Sequence, residues 1–297
     1  MNPDYHDILK PEIINSVKGL GLISRVIVEG YLSGLNKSRA VGTGMEFSQY
    51  RAYEPGDDLR LLDWKMLARS GRYHIKQSEI DAQITLQCVV DASASMSHQE
   101  NGLSKLHLAK VIMACLSKIA FDQGDAVGLH AINNKTLGTL QAAMDKQHFN
   151  RFLHTLIQTK PTGKWPEQLF PDQLHNPREK EMIVVVSDFY ENAKEISHLI
   201  KKLKTARNEV MVIHLMGAKE LAFDYKGQVI FEDWESGQKV KVSTKQAREP
   251  YMQAISSSIQ AIKDELLSQG IDYELFKMNT PVEQALQLFL RRRKNLL

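Results

Sequence analysis

Asp91, Ser93 and Ser95 follow directly on an apolar run and are the residues in this chain whose types and spacing best suit chemistry. The run over residues 84–90 predicts a buried strand, and a helical pattern begins near residue 104. In open α/β sheets, ligands bind just beyond the carboxyl ends of the strands. We therefore expect these three side chains to lie at a ligand-binding edge of a sheet.

The spacing of one carboxylate and two hydroxyls, D-x-S-x-S, matches the oxygen donors that Mg²⁺ prefers, about six of them at roughly 2.0–2.1 Å. Few carboxylates would then neutralise the ion, so it would stay electrophilic and favour an acidic group from a partner. A plain polar turn with Asp91 as a helix N-cap explains the same residue types equally well. The spacing alone leaves both interpretations open.

Asp188 ends a second strongly apolar run, Glu181 to Asp188, in the same way as Asp91 ends the first. Right-handed crossovers place such parallel strands side by side with their carboxyl ends together. Two acids and two hydroxyls are therefore expected to converge. This predicts a site for Mg²⁺ or Mn²⁺ formed by Asp91, Ser93, Ser95 and Asp188.

Strand-like and helix-like patterns alternate from residue 84 onward, which is typical of an α/β fold with a doubly wound, mostly parallel sheet. The main domain is predicted over residues 81–297. Residues 1–80 are predicted to be N-terminal helices and a β-rich platform (residues 42–80) packed on the main domain. The predicted strands are 84–91, 125–132, 181–188, 209–215 and 271–277, with helices near 104–122, 145–158, 192–206, 247–269 and 281–293 and a hairpin within 228–242.

Composition argues against several classes of protein. The 297 residues carry a net charge of only +3, too small to indicate nucleic-acid binding by itself. Cys88 and Cys115 fall inside a predicted strand and a predicted helix, as buried thiols of a reducing compartment would. The N-terminus lacks the pattern of a signal peptide, and no apolar run approaches the about 18 residues of a membrane span. We therefore expect a cytoplasmic protein without direct membrane insertion.

Two stretches resemble a known family. Val89–Met96 together with Ser187-Asp188 resembles the metal-ion-dependent adhesion site of the von Willebrand factor A fold. The run at 42–71, G-T-G-M-E-F-S-Q-Y-R-A-Y-E-P-G-D-D-L-R-L-L-D-W-K-M-L-A-R-S-G, resembles the signature of one bacterial branch, domain-of-unknown-function family number fifty-eight. Members of that branch are often encoded beside MoxR-type AAA+ ATPases. The resemblance covers nearly the whole chain and implies a von Willebrand factor A-like (Rossmann-like) fold.

The resemblance also implies roles for single residues. Asp91, Ser93 and Ser95 would form the first metal loop and Asp188 the third. The second loop should supply a threonine, but Lys164 stands at that position in K-P-T-G-K-W, and Thr162 replaces it only if the loop shifts by two residues. A lysine there would repel Mg²⁺, or its ammonium would occupy the place of the metal.

Three functions follow as hypotheses. The first is a non-enzymatic protein-interaction module that acts with a MoxR-type AAA+ ATPase on a client protein, in its assembly, activation or metal insertion. The second is a metal-dependent phosphohydrolase with Asp91 as nucleophile; such enzymes usually carry another acid two residues on, where this chain has Ser93. The third, nucleic-acid binding through basic runs at 34–40 and 291–294, is disfavoured by the near-balanced charge and by the absence of a recognised nucleic-acid-binding module. The cations at 291–294 fall in the last turn of a helix, where they suit its dipole and solubility.

Overall fold

The computed structural model describes residues 9–38, 50–53, 62–76, 83–145, 147–167, 169–176, 179–190, 194–234 and 237–296. The helices are α1 (Pro11–Ile14), α2 (Val17–Ser38), α3 (Trp64–Ser70), α4 (Lys105–Asp122), α5 (His148–Gln158), α6 (Lys194–Leu203), α7 (Ala218–Ala222), α8 (Thr244–Ser268) and α9 (Glu283–Leu296). The strands are β1 (Tyr50–Ala52), β2 (His74–Lys76), β3 (Thr85–Asp91), β4 (Gln99–Glu100), β5 (Leu103–Ser104), β6 (Ala126–Ile132), β7 (Leu137–Ala143), β8 (Glu181–Ser187), β9 (Asn208–Met216), β10 (Gln228–Glu232), β11 (Lys239–Ser243) and β12 (Asp272–Lys277).

A six-stranded sheet in the order β12-β9-β8-β3-β6-β7 forms the centre of the main unit. The pairs from β12 through β6 are parallel, and only β7 pairs antiparallel, with β6. The central strands β3, β6 and β8 are mainly apolar and almost wholly buried, as strands covered on both faces are. The predicted α/β class with a doubly wound, mostly parallel sheet is confirmed.

Two apolar cores lie on the two faces of this sheet, because successive strand side chains point to opposite sides. One core contains residues of α2, α4, α5 and α9, and the other contains residues of α6 and α8. The predicted apolar stripe of α4 (Leu108, Ile112, Cys115 and Ile119) is buried as expected. Helix α4 is also buried on its other sides, since α1, α5 and α9 pack around it.

The described residues fall into two compact units, one of residues up to Tyr31 and from Gln83 onward, and one within 32–82. Ile14, Leu20 and Ile23 belong to the core that contains α4, so the first helices group with the main domain. The sequence placed the boundary at residue 80 instead and assigned these helices to an N-terminal extension.

The smaller unit contains β1 and β2, which pair antiparallel, and α3. Asp63 caps α3 by accepting hydrogen bonds from the backbone N–H groups of Lys65 (2.9 Å) and Met66 (3.0 Å). The helix ends at Gly71, whose φ of +67° lies in the left-handed region that favours glycine. The described part of the predicted platform therefore contains one pair of short strands and one helix. The rest of its predicted range, 42–49, 54–61 and 77–80, lies outside the described residues.

The basic cluster near the C-terminus has a different role from the one the sequence suggested. Arg293 is 4% exposed and its guanidinium donates to both carboxylate oxygens of Asp125, at 2.8 and 3.1 Å. Arg292 pairs with Asp272. The expectation of helix capping and solubility is therefore wrong for these two arginines, which tie α9 to the sheet.

Other expectations have simpler outcomes. Cys88 and Cys115 are free and fully buried, as predicted. The strand β7 and the short helix α7 were not predicted, whereas the hairpin β10–β11 was. Among the described residues, none of the helices combines the length and apolar character that crossing a membrane requires.

Candidate functional site

The candidate site lies where β3 and its neighbour β8 end. Strand β3 ends at Asp91, and a 3-10 helix from Ala94 to Ser97 follows. Strand β8 ends at Ser187, and the chain then turns at Phe189, whose φ is +50°. A bulky residue in the left-handed region is uncommon and marks a turn that is held by its surroundings. Here the backbone N–H of Phe189 donates to the Ser187 hydroxyl at 3.0 Å.

The four predicted site residues come together, and each is only 1 to 3% exposed. The hydroxyl oxygens of Ser93 and Ser95 are 3.0 Å apart. The Ser95 hydroxyl also donates to Oδ1 of Asp188 at 3.0 Å, across 93 residues of sequence. The convergence of two strand ends that the sequence predicted is present.

Asp91 accepts hydrogen bonds at both of its carboxylate oxygens. The backbone N–H of Ser93 donates to Oδ1 at 2.9 Å, and the hydroxyl of Ser187 donates to Oδ2 at 2.5 Å. Burial and the negative charge of Asp188 raise the pKa of Asp91 to about 7, against the lowering effect of these hydrogen bonds. Asp91 is not a helix N-cap, since α4 is capped by Ser104. The polar-turn alternative therefore accounts for the Ser93 hydrogen bond but not for the other contacts.

Lys105 is a site residue that the sequence reasoning missed. It begins α4, is 1% exposed, and its Nζ donates to Oδ2 of Asp188 at 3.0 Å. The same Nζ lies 3.0 to 3.1 Å from the two carboxylate oxygens of Glu220. Burial lowers the pKa of the Lys105 ammonium, but the charges of Asp188 and Glu220 outweigh that effect and raise it. The available signal was its place in the first turn after the Asp91 loop, which faces the edge of the sheet.

Glu100 adds a further carboxylate to the polar surroundings of the site. Its carboxylate accepts from the backbone N–H groups of Ala218 and Lys219, both at 2.8 Å, at the start of α7. Glu220 accepts from the backbone N–H of Gly217 at 2.6 Å. His98 lies 3.7 Å from Glu100 and 3.8 Å from Glu220. The short helix α7 is thus fixed by the two carboxylates, and this positions Glu220 beside Lys105.

The backbone of Asp188 is held from β9. Nε2 of His214 lies 3.0 Å from the Asp188 carbonyl oxygen, and Nδ1 lies 2.7 Å from the hydroxyl of Tyr273. Burial lowers the pKa of His214 to about 4. The neutral ring therefore donates from Nε2 to the carbonyl and accepts from Tyr273 at Nδ1.

The second loop places Thr162, not the side chain of Lys164, against the Asp91 loop. The backbone N–H of Thr162 donates to the Ala92 carbonyl at 2.9 Å, and the Gly163 carbonyl accepts from Ala94 at 3.0 Å. Lys164 is exposed. Its backbone carbonyl accepts from the backbone N–H of Asn134 at 2.7 Å, and its backbone N–H donates to Oδ1 of Asn134 at 3.0 Å. The buried cation at the site is therefore Lys105, whereas the sequence pointed to Lys164.

The von Willebrand-type resemblance implies a divalent cation, and the donor set can be tested against one. Adjacent ligands of an octahedral Mg²⁺ with bonds of roughly 2.0–2.1 Å lie about 2.9 Å apart. The spacings of 3.0 Å from Ser93 to Ser95 and from Ser95 to Asp188 match that edge. Within the described ranges, groups of three or more His, Cys, Asp or Glu side chains arranged to hold a metal are absent. The donors here are two carboxylates and two hydroxyls, the oxygen types that a hard cation prefers.

Comparison with known proteins identifies the family. The sequence model described as "Protein of unknown function DUF58" matches residues 49–260. The chain belongs to this family. An uncharacterised protein of Mycobacterium tuberculosis (strain H37Rv) is 28% identical over 235 residues, which cover 78% of this chain and 74% of that protein. An uncharacterised protein of Mycobacterium bovis matches to the same extent.

Solved structures of low sequence identity are also similar to this DUF58 chain. BatB, described as a conserved hypothetical protein of Bacteroides thetaiotaomicron, has a TM-score of 0.48 at 14% identity over 71% of this chain and 99% of that one. The von Willebrand factor A domain of SpRpn10 has a TM-score of 0.39 at 16% identity, over 70% and 95% of the two chains. The family assignment rests on the sequence match, and the fold class on the sheet itself.

Proposed function

We propose that this chain is a non-enzymatic protein-interaction module that captures an acidic group of a partner at a divalent cation. Asp91, Ser93, Ser95 and Asp188 would hold Mg²⁺ or Mn²⁺. The observation that carries the proposal is the run of oxygens at 3.0 Å intervals from Ser93 through Ser95 to Asp188. Two of these donors are neutral hydroxyls, so a bound cation keeps positive charge for a carboxylate from outside.

The proposed partners are a MoxR-type AAA+ ATPase and a client protein in the cytoplasm, where the module would assist assembly, activation or metal insertion. Membership of the DUF58 family supports this, since the resemblance described above implies genes that lie beside those of such ATPases. Thr162 and Tyr190, which flank the site loops, are exposed and offer contacts to an incoming partner. The platform at 42–80 would add specificity.

A phosphohydrolase that uses Asp91 as its nucleophile is less well supported. Asp91 is 1% exposed, and both of its oxygens accept hydrogen bonds. A nucleophile must present an oxygen to a phosphate ester, which a buried carboxylate cannot reach, whereas a cation ligand needs room only for the ion beside it. A phosphatase screen with the Asp91→Asn variant as control separates the two functions, since turnover that the variant loses would favour the enzyme.

Thermal unfolding with and without Mg²⁺ or Mn²⁺ tests the metal site. A ligand at 100 times its dissociation constant adds about 2.7 kcal/mol to the free energy of unfolding, which raises Tm by several degrees in a domain of this size. We expect that shift for the wild type and its loss in Asp91→Ala. Asp172→Ala, which removes an exposed carboxylate from a 3-10 helix outside the site, is the matched control and should keep the shift.

Partner capture is tested separately with a purified MoxR-type ATPase in a binding assay. Asp91→Ala should weaken binding, and a chelator should weaken binding of the wild type to the same extent. An affinity that neither change alters would refute capture through the cation.

A further inference from the structure

Lys105 is a buried cation at the candidate site. Capture of an acidic group through a metal does not by itself require a lysine there. Its Nζ stands between two carboxylates, 3.0 Å from Oδ2 of Asp188 and 3.0 to 3.1 Å from the oxygens of Glu220. These two carboxylates compensate the ammonium for its loss of hydration. Lys105 is therefore a built part of the site, and its charge bears on any second cation there.

The contacts of Asp188 divide between two kinds of donor. Oδ1 accepts from the hydroxyl of Ser95 at 3.0 Å and from the backbone N–H of Tyr190 at 3.3 Å. Oδ2 accepts from Lys105. A divalent cation beside Ser95 would share this one carboxylate with the ammonium. Two positive charges in a buried site repel each other strongly, because neither water nor salt screens them well.

Glu220 is a second ion-pair partner of Lys105. Its carboxylate is fixed by the backbone N–H of Gly217 at 2.6 Å, and both of its oxygens lie within reach of Nζ. Lys105 can therefore lose its ion pair with Asp188 and keep its ion pair with Glu220. Without Glu220, the same step would leave an uncompensated charge in the interior, which is strongly unfavourable.

We propose that Lys105 and a divalent cation compete for the Asp188 carboxylate, so that Lys105 sets the metal affinity of the site. Glu220 retains the ammonium when the metal is bound. This inference rests on the proposed function, since it describes how the same metal site is regulated. It predicts weak metal binding in the wild type and names the residue that weakens it.

Isothermal titration of Mn²⁺ into the full chain, freed of metal beforehand, tests the competition. We expect Lys105→Met to raise the Mn²⁺ affinity about tenfold or more, because it removes a unit charge from beside the ion. Lys118→Met is the matched control, since it removes the same charge from a partly exposed position on the same helix, about 20 Å away. The control should leave the affinity unchanged. If Lys105→Met fails to fold, Lys105→Gln takes its place, with an uncharged amide as donor.

A double-mutant cycle tests the role of Glu220. Glu220→Gln should weaken Mn²⁺ binding in the wild-type background and have a clearly smaller effect in the Lys105→Met background. Equal effects in both backgrounds would mean that Glu220 acts only as a nearby charge, and would overturn its role as the second partner of Lys105.

The outcomes separate this inference from the proposed function. Equal or weaker Mn²⁺ binding in Lys105→Met, with a wild type that binds and an Asp91→Ala variant that does not, overturns the competition and leaves the metal site standing. Binding in Lys105→Met but not in the wild type supports the competition and refutes metal-dependent capture by the natural chain. Absence of binding in every variant refutes both.

Discussion

The ion pair of Arg293 with Asp125 gives the sharpest stability prediction for this chain. Asp125 is fully buried, and besides the two bonds from the guanidinium it accepts one from the backbone N–H of Ile84 at 3.2 Å. Arg293→Met removes the compensating charge and leaves a buried carboxylate. Breaking a buried pair in this way costs about 3–5 kcal/mol. We expect a loss of that size in the free energy of unfolding.

Urea denaturation at pH 7 measures the loss, and the neighbouring arginine supplies the control. Arg292 pairs with Asp272, but both side chains are partly exposed, so Arg292→Met should cost at most about 1 kcal/mol. The double variant Arg293→Met with Asp125→Asn should recover much of the loss, because no uncompensated charge is left. A cost below about 1 kcal/mol for Arg293→Met, no larger than that of the control, would refute the reasoning.

Two further predictions concern buried groups with displaced pKa values. Burial lowers the pKa of Lys110 to about 8, so its charged form is destabilising in the folded state at pH 7. Lys110→Met should add up to about 3 kcal/mol to the free energy of unfolding below pH 8. This gain should disappear as the pH rises toward 10.5, which urea denaturation at pH 7 and pH 10 measures. A gain that persists in full at pH 10 would contradict the prediction. Burial lowers the pKa of the His130 imidazole to about 4. The unfolded chain therefore binds a proton at this residue more readily than the folded chain does. The stability contributed by the neutral imidazole is complete above pH 6.5 and is lost as the pH falls toward 4. His130→Gln should show a weaker loss of stability than the wild type between pH 7 and pH 4, by up to about 3 kcal/mol, and parallel curves for the two proteins would count against the prediction.

The elements that could be predicted from the sequence are those whose pattern is set by burial. Strands β3 and β8 are mainly apolar runs that end in an acid or just before one. Their parallel pairing follows from the βα alternation. Asp91 and Asp188 were therefore placed at one edge from sequence alone. Strand β7 was missed because it is a partly exposed edge strand, so its side chains give only a weak alternation.

The contacts of the site with α4 and α7 were beyond sequence reasoning for a physical reason. Lys105 meets Asp188 across 83 residues, and nothing in the spacing of either residue encodes the rotation of α4 that turns Nζ toward the sheet. Glu220 lies on a helix of only five residues, too short for a periodic pattern. The misplaced role of Lys164 has the same origin: a motif aligned by sequence fixes the order of residues in a loop, not which side chain faces inward.

The charges around the site connect its parts. Among the described residues, the site contains the carboxylates of Asp91, Asp188, Glu100 and Glu220 together with the buried ammonium of Lys105. Lys105 contacts Asp188 and Glu220, and Glu100 is satisfied by backbone N–H groups of α7. Asp91 accepts from neutral donors only, and burial together with the negative charge of Asp188 raises its pKa. Asp91, the acid that begins the D-x-S-x-S spacing, thus accepts from no cation in this arrangement. A divalent cation held by the serine hydroxyls beside Asp91 would supply a cationic partner. The cation and Lys105 would then compete for one carboxylate, that of Asp188.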